Sequence, residues 1–197
     1  GQNFAKAFDI SFLDKNEKKE YAWQNTFAIT TRMIGVMIIM HGDDKGLVLP
    51  PKIAPRQIVI VPIFDDKNKE EIFAKAEEVK SLVTEYRVEF DDREGYTPGW
   101  KYNQWEMKGV PLRLELGPKD VKKNQVVLVR RDTGEKIFVK LDELQKRVEK
   151  SFSEMNSNLY AKSEKMLKNS IVKAKNWGDV IKGIRDKKLV KADFCGL

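Results

Sequence analysis

The chain has 197 residues, of which 41% are hydrophobic, and its formal charge is +7, with an isoelectric point near 9.3. This hydrophobic content can build a core, which argues against a disordered chain, and no apolar run approaches the roughly 20 residues needed to cross a bilayer. The single cysteine, Cys195, excludes an internal disulfide and fits a reducing, cytoplasmic setting. The basic charge suits a polyanion such as RNA, although a lysine-rich proteome explains it equally well.

The first of three regions covers residues 1–49, and its start, which lacks methionine, looks like a cut inside a longer protein. Period-two alternation, charge and apolar runs predict its elements. They are a half-buried strand through Phe8, Ile10 and Phe12, a hairpin loop over 14–20, a second strand over 21–31 and a buried helix over 32–41. A turn at 42–46 ends this helix, and the prolines that follow indicate a stiff linker.

The second region, residues 50–140, is predicted to be a compact mixed α/β domain. Thr97 and Pro98 favour a helix start, and Gly109 favours its end. The predicted elements are a buried strand over 57–63, an amphipathic helix over 70–84, a strand over 87–90, the helix after Thr97, strands over 111–116 and 125–130, and a turn at 132–134 into a strand over 136–139.

The third region, residues 141–197, begins with apolar residues spaced three and four apart as far as Leu159. This spacing predicts a long helix. A second helix is predicted over 177–184 and a strand over 189–195. The expected fold class for the whole chain is therefore α/β (α+β).

Few residues in this sequence indicate a catalytic, metal-binding or phosphate-binding site by their residue type alone. His41 is the only histidine, so no histidine-based triad or histidine-rich metal cluster can form, and its expected role is structural. Asp43 and Asp44 are more typical of a solvated turn than of a catalytic pair. Arg32, after two threonines at a strand-to-helix junction, could bind a triphosphate, but an ordinary helix-start arginine is the simpler explanation of the bare pattern.

The helix over residues 99–109 combines three aromatic side chains with two lysines and one glutamate. Tyr102 and Glu106 are four residues apart and share a face. A ring beside a carboxylate can stack on an unpaired base and accept hydrogen bonds from a guanine edge. For Trp100 and Trp105 a place in the core is an equally good interpretation.

Several segments resemble the class II prolyl-tRNA synthetases of the eukaryotic and archaeal type, over essentially the whole chain. Residues 1–4 (GQNF) are similar to a strand of the family's catalytic domain, and residues 30–37 and 41–51 to the end of that domain with motif 3. Residues 97–118 and 130–136 are similar to its anticodon-binding domain.

The resemblance also implies a domain organisation. It assigns residues 1–49 to the end of the antiparallel-sheet catalytic domain and 50–140 to a mixed-sheet α/β anticodon-binding domain. Residues 141–197 are then the beginning of an α/β C-terminal domain.

The resemblance implies two sets of site residues. Arg32 matches the motif 3 arginine that clamps ATP, which makes it the expected catalytic residue, and Thr30 matches a residue beside the adenine or ribose. Glu106 and Arg113 match the residues that read the two guanines of the proline anticodon, and Lys136 falls near a third such residue. Tyr102 matches an aromatic position that stacks near the anticodon.

The sequence departs from the family pattern in two places. Thr26, Phe27 and Ala28 stand in the proline pocket where the family usually has Ser-Trp-Gly, so a ring is kept and the indole N–H is lost. Cys195 matches the first ligand of a four-cysteine zinc site found in the family's last domain. The other ligands would lie beyond Leu197, so we expect no metal site in this chain itself.

The implied parent enzyme is a cytoplasmic homodimer that uses ATP with Mg²⁺ to attach proline to its tRNA. The chain lacks the family's motifs 1 and 2, so we expect no aminoacylation by these residues alone. One alternative is a non-enzymatic RNA-binding module, and another is an accessory subunit that docks on a synthetase. The catalytic-domain segment at residues 1–49 favours the synthetase over a free-standing RNA-binding module.

Overall fold

The computed structural model describes residues 1–193 and divides into two units, residues 1–35 and residues from 36 onward. The first unit holds helix α1 (Asn3–Ala7) and an antiparallel hairpin of β1 (Ser11–Leu13) and β2 (Lys19–Tyr21). Helix α2 (Arg32–His41) begins in the first unit and ends in the second.

Several predictions for this first part of the chain are wrong. Residues 1–4 lead into a helix rather than a strand, and the predicted strand at Phe8 begins only at Ser11, because Asp9 adopts a left-handed turn with φ of 51°. The second strand ends at Tyr21, and residues 22–30 have no regular structure. Helix α2 is confirmed, but none of its ten residues is buried. A helix that is apolar on all sides usually needs cover from elsewhere in a protein.

The second unit is built on a mixed five-stranded sheet with the order β4-β3-β5-β6-β7. Its strands are β3 (Ile58–Pro62), β4 (Val88–Phe90), β5 (Leu112–Leu116), β6 (Gln125–Arg130) and β7 (Lys136–Lys140). β3 runs parallel to β4 and β5, whereas β5, β6 and β7 are antiparallel. Every residue of β3 is buried, which explains its continuous apolar run. The predicted mixed sheet is confirmed.

The helices around this sheet are α3 (Lys69–Ser81), α4 (Pro98–Met107), α5 (Pro118–Lys122) and α6 (Leu144–Ser170). The start of α4 is as predicted, because the Thr97 hydroxyl accepts a hydrogen bond from the Trp100 N–H at 3.3 Å. Its end is also as predicted, since Gly109 has a φ of 71° that few other residues tolerate. The short helix α5 was not anticipated from the sequence.

The two faces of the sheet carry separate apolar clusters. Ile58 and Ile60 of β3 belong to the larger cluster, which α3 and α6 cover, and Val59 and Val61 to the smaller one under α4. This alternation is the period of two expected for a strand. The larger cluster includes residues of α6 as far as Met155. The core thus continues past residue 140, where the sequence places a domain boundary, and the division into 1–49, 50–140 and 141–197 stays a prediction.

The C-terminal part holds helix α7 (Trp177–Arg185) and a parallel pair of short strands, β8 (Ile171–Lys173) and β9 (Leu189–Lys191). β8 was not predicted. Part of the strand predicted over 189–195 lies outside the described residues. Across residues 1–193, no helix combines the length and the apolar character needed to span a membrane.

Candidate nucleic-acid interface

The four side chains predicted to contact an anticodon lie together on the face of the sheet that α4 covers. Tyr102 and Glu106 are one turn apart on α4. Arg113 of β5 is opposite Val129 of β6, which is in turn opposite Lys136 of β7. Residues in one cross-strand row project to the same side of the sheet. Arg113 and Lys136 therefore lie on one face, together with Tyr102 and Glu106 of α4.

Arg113 is the centre of this cluster. Its Nη1 donates to Glu106 Oε1 and its Nε to Glu115 Oε1, both at 3.0 Å. Its guanidinium carbon lies 4.2 Å from the centroid of the Tyr102 ring. Two carboxylates and one ring thus hold a planar group whose donors have a fixed geometry. Burial raises the pKa of Tyr102, so its hydroxyl stays protonated at neutral pH.

Glu115 is not among the site residues predicted from the sequence, although it is buried at the middle of the cluster. One of its oxygens accepts from Arg113, and the other lies 3.5 Å from Lys136 Nζ. The signal was present, because residues two apart on a strand share a face. The alternating leucines of β5 indicated its apolar face, and Glu115 lies on the opposite face together with Arg113.

Helix α4 is anchored to the sheet by a buried ionic network. Asp91 Oδ2 accepts from Trp105 Nε1 at 2.7 Å, and the Asp91 carbonyl accepts from Lys101 Nζ at 3.0 Å. Arg93 donates two hydrogen bonds to the same carboxylate, at 2.8 and 2.7 Å. Lys101 is only 2% exposed. A charge so deeply buried needs a partner of opposite sign.

The same network sets the protonation of Asp91. Burial raises the pKa of this carboxyl, but the hydrogen bonds from Arg93 and Trp105 and the positive charge of Lys101 outweigh it and hold the pKa at about 2. Asp91 is therefore ionised at neutral pH. Of the two interpretations left open for the tryptophans, Trp105 belongs to the core, whereas Trp100 is 43% exposed.

A turn at residues 43–46 is bound to the C-terminal end of α4. Arg131 donates to both oxygens of Asp43, at 2.7 and 2.6 Å, and its Nε donates to the Glu106 carbonyl at 2.9 Å. The hydrogen bond from Arg131 lowers the pKa of Asp43 to about 2. Asp43 lies in an exposed turn, as the sequence predicts, and its carboxylate is in addition paired with a buried arginine.

The backbone of this turn also touches α4. The Leu47 N–H donates to the Met107 carbonyl at 3.1 Å. At Gly46, with a φ of 127°, an added Cβ would lie 2.5 Å from Met107 Cα. Only glycine permits both this backbone conformation and so close an approach.

A cavity of about 210 Å³ opens between this turn, the end of α4 and the β6–β7 turn. Lys45 extends over it with its Nζ 3.8 Å from Glu106 Oε2 and with 66% of its side chain exposed. The charged residues that line the cavity are Asp43, Lys45, Glu106, Arg113, Arg130, Arg131 and Asp132. Carboxylate acceptors beside forked donors are complementary to the edges of a guanine base.

The β6–β7 turn is fixed to α6 by a second ionic network. Arg130 donates to both oxygens of Asp132, at 3.1 and 2.9 Å, and to Glu154 of α6 at 2.7 Å. Asn158, one turn further along α6, donates to Asp132 at 2.7 Å. The hydrogen bonds that Arg130 donates to Asp132 raise the pKa of Arg130. The turn that leads into Lys136 is thus held against α6 through Arg130 and Asp132.

The residues predicted to bind ATP and proline lie in another part of the chain. Thr30 and Arg32 are exposed at the N-terminal end of α2, where backbone N–H groups and an arginine suit a phosphate group. Thr26, Phe27 and Ala28 are exposed on irregular chain. Their roles stay predictions.

The metal prediction concerns Cys195, which lies outside the described residues. Within residues 1–193, no group of three or more histidine, cysteine, aspartate or glutamate side chains is placed to hold a metal ion.

Comparison with known proteins gives consistent similarities. Residues 57–151 match the family model of the anticodon binding domain. The chain is 44% identical to the proline–tRNA ligase of Natranaerobius thermophilus, over all of this chain and 41% of that one. It is 43% identical to the cytoplasmic proline–tRNA ligase of Arabidopsis thaliana, over 99% of this chain and 37% of that one.

Structural comparison agrees with the sequence comparison. The crystal structure of a prolyl-tRNA synthetase from Cryptosporidium parvum, in complex with L-proline and AMP, aligns with a TM-score of 0.90 and 42% identity. The alignment covers 99% of this chain and 42% of that one, so the chain spans well under half the length of the proteins it matches. In sequence and fold, this chain corresponds to the C-terminal portion of prolyl-tRNA synthetases, the portion that carries the anticodon-binding domain.

Proposed function

We propose that this chain is part of a proline–tRNA ligase and supplies the site that recognises the anticodon of proline tRNA. The observation that carries the proposal is the convergence of Tyr102, Glu106, Arg113 and Lys136 on one face of the sheet. A splayed-out anticodon base offers its edges for hydrogen bonding and its faces for stacking. These four side chains offer an acceptor, forked donors, an ammonium group and a ring.

Guanine recognition follows from the chemistry of these groups. The Glu106 carboxylate accepts from the N1–H and N2–H groups of one guanine, and Arg113 donates to the O6 and N7 of a guanine edge. Lys136 adds an ammonium donor beside these two guanine-contacting groups. The Arg113–Glu106 pair neutralises two charges in the unbound chain, so neither group is left uncompensated before RNA binds.

The reaction itself would take place in the longer enzyme, a cytoplasmic homodimer. Arg32 and Thr30 would bind ATP at the start of α2, and Mg²⁺ bound with ATP would supply neutralisation of the phosphate charge. The ring of Phe27 packs against proline, beside Thr26 and Ala28. Formation of prolyl-adenylate and transfer to the tRNA depend on positioning and charge stabilisation rather than on a protein nucleophile.

The proposed function is tested by binding of the chain to proline tRNA and to the same tRNA with its two anticodon guanines replaced. The salt concentration is held fixed, because phosphate contacts alone would bind both RNAs. We expect a loss of about 1–3 kcal/mol for each changed base. Equal affinity for the two RNAs would contradict anticodon recognition and leave a general RNA-binding surface.

A second prediction concerns Lys45, which extends over the cavity beside Glu106. Lys45→Gln should weaken binding to both RNAs equally and reduce the slope of log K against log salt by about 1, as expected for one lost phosphate contact. The matched control is Lys80→Gln on α3, which covers the opposite face of the sheet. An unchanged slope in Lys45→Gln would exclude a phosphate contact at this position.

A further inference from the structure

Glu115 is an acidic residue buried among groups that are predicted to bind a polyanion. It is 6% exposed, and it lies beside Arg113 and Lys136, both basic. Buried carboxylates are costly unless they are paired, and this one has two partners of opposite charge. Glu115 thus lies between two residues that are predicted to contact bases, where it can affect the orientation of both.

The contacts of Glu115 restrict the orientation of Arg113. Glu115 Oε1 lies 3.0 Å from both Nε and Nη2 of Arg113, so it occupies one edge of the guanidinium group. The Nη1 atom is left on the side of Glu106, 3.0 Å from its carboxylate. A side chain held in one orientation before binding loses less conformational freedom when it binds.

Lys136 is reached by the other oxygen of the same carboxylate. The 3.5 Å contact links β5 to β7 across the intervening strand β6. Lys136 is otherwise exposed, and a lysine ammonium is a point charge on a flexible stem. One carboxylate thus sets the position of two cationic groups that come from different strands.

If Glu115 acted through its negative charge alone, it would weaken RNA binding. A negative charge near the binding surface repels phosphate groups, so its removal should strengthen binding to any RNA. A purely structural role would also change affinity for all RNAs alike. Only an effect of Glu115 on the geometry of the base-contacting groups changes discrimination between bases.

We propose that Glu115 is a positioning residue for anticodon recognition, which fixes Arg113 and Lys136 in the orientation that distinguishes guanine from other bases. This inference rests on the proposed function, since it names a further residue of the same site. Glu115 itself contacts protein groups rather than RNA.

The test compares the intact 197-residue chain with its Glu115→Gln variant, which keeps size and hydrogen-bonding capacity but loses the charge. Affinities are measured at fixed salt for proline tRNA and for the tRNA with both anticodon guanines replaced. We expect the ratio of the two affinities to fall about tenfold, which is within the discrimination of one bidentate base contact. Affinity for the replaced tRNA should stay the same or rise. Glu77→Gln on α3 is the matched control for loss of one negative charge, and its ratio should not change.

The outcomes separate this inference from the proposed function. If the unaltered chain binds both RNAs equally, the proposed function fails and the role of Glu115 fails with it. If the unaltered chain discriminates and Glu115→Gln discriminates equally well, only the positioning role is overturned. A parallel loss of affinity for both RNAs, with an unchanged ratio, would indicate a structural role and would also overturn it.

A second variant covers the case in which Glu115→Gln does not fold. Glu115→Asp keeps the charge but withdraws the carboxylate by one methylene group. Because the proposal depends on contact geometry, this variant should also lose discrimination. Full discrimination by Glu115→Asp would overturn the proposal.

Discussion

Replacement of Asp91 by alanine is expected to lower the free energy of unfolding of the chain by about 3–5 kcal/mol. The variant leaves the buried Lys101 ammonium without its carboxylate partner, and it removes the acceptor of the Trp105 indole N–H. Breaking one side of a buried pair is costly because the other charge cannot reach water. Urea unfolding followed by tryptophan fluorescence measures the change. A loss below about 1 kcal/mol, the range of exposed ion pairs, would contradict the role assigned to this network.

Asp91 should also contribute to the acid sensitivity of the fold. Its pKa is about 2 in the folded chain against an ordinary value of 3.8. The folded state therefore favours the ionised form, and this stability is present above about pH 4 and is lost as the pH falls toward 2. The difference corresponds to about 2 kcal/mol. Asp91→Asn should remove this part of the pH dependence.

Two further variants distinguish loss of the pair from general damage. Asp92→Ala changes the exposed neighbour and should alter stability by less than about 0.5 kcal/mol. The double variant Asp91→Ala with Lys101→Met removes the stranded charge and should recover much of the loss, because an apolar replacement of a buried pair is often neutral. No recovery in the double variant would show that the cost arises from packing rather than charge.

Features encoded by neighbouring residues could be predicted from the sequence. Thr97, Pro98 and Gly109 determine both ends of α4 through local hydrogen bonding and backbone preference, and the structure agrees with the sequence at each. The apolar run of β3 similarly indicated a strand buried on both faces. The resemblance to a known family selected four residues that the fold brings together.

Features that depend on distant partners could not be predicted in this way. The burial of Lys101 does not follow from its neighbours in the chain, because its partner Asp91 lies ten residues away across a loop. The ion pair of Asp43 could not be predicted either, because its partner Arg131 is 88 positions further along the chain. The exposure of α2 was missed because an apolar sequence predicts a need for burial, but not which segment provides it.

The second large effect is expected at Arg113. Arg113→Ala removes the group that pairs with both Glu106 and Glu115 and lies over the Tyr102 ring. The buried Glu115 carboxylate then keeps only its 3.5 Å contact with Lys136. We expect a loss of about 3–5 kcal/mol in the free energy of unfolding, together with loss of discrimination between proline tRNA and the tRNA with replaced guanines.

Because these two effects would coincide in Arg113→Ala, a second pair of variants is needed to separate folding from recognition. Arg113→Met with Glu115→Met replaces the buried pair by apolar side chains and should restore much of the stability, but not the discrimination, since no forked donor remains. Arg113→Lys keeps the charge and loses the bidentate geometry, so its salt dependence should stay unchanged while its discrimination falls. If the double methionine variant discriminated as well as the unaltered chain, Arg113 would be a stabilising residue only, and guanine recognition would have to depend on Glu106 and Lys136.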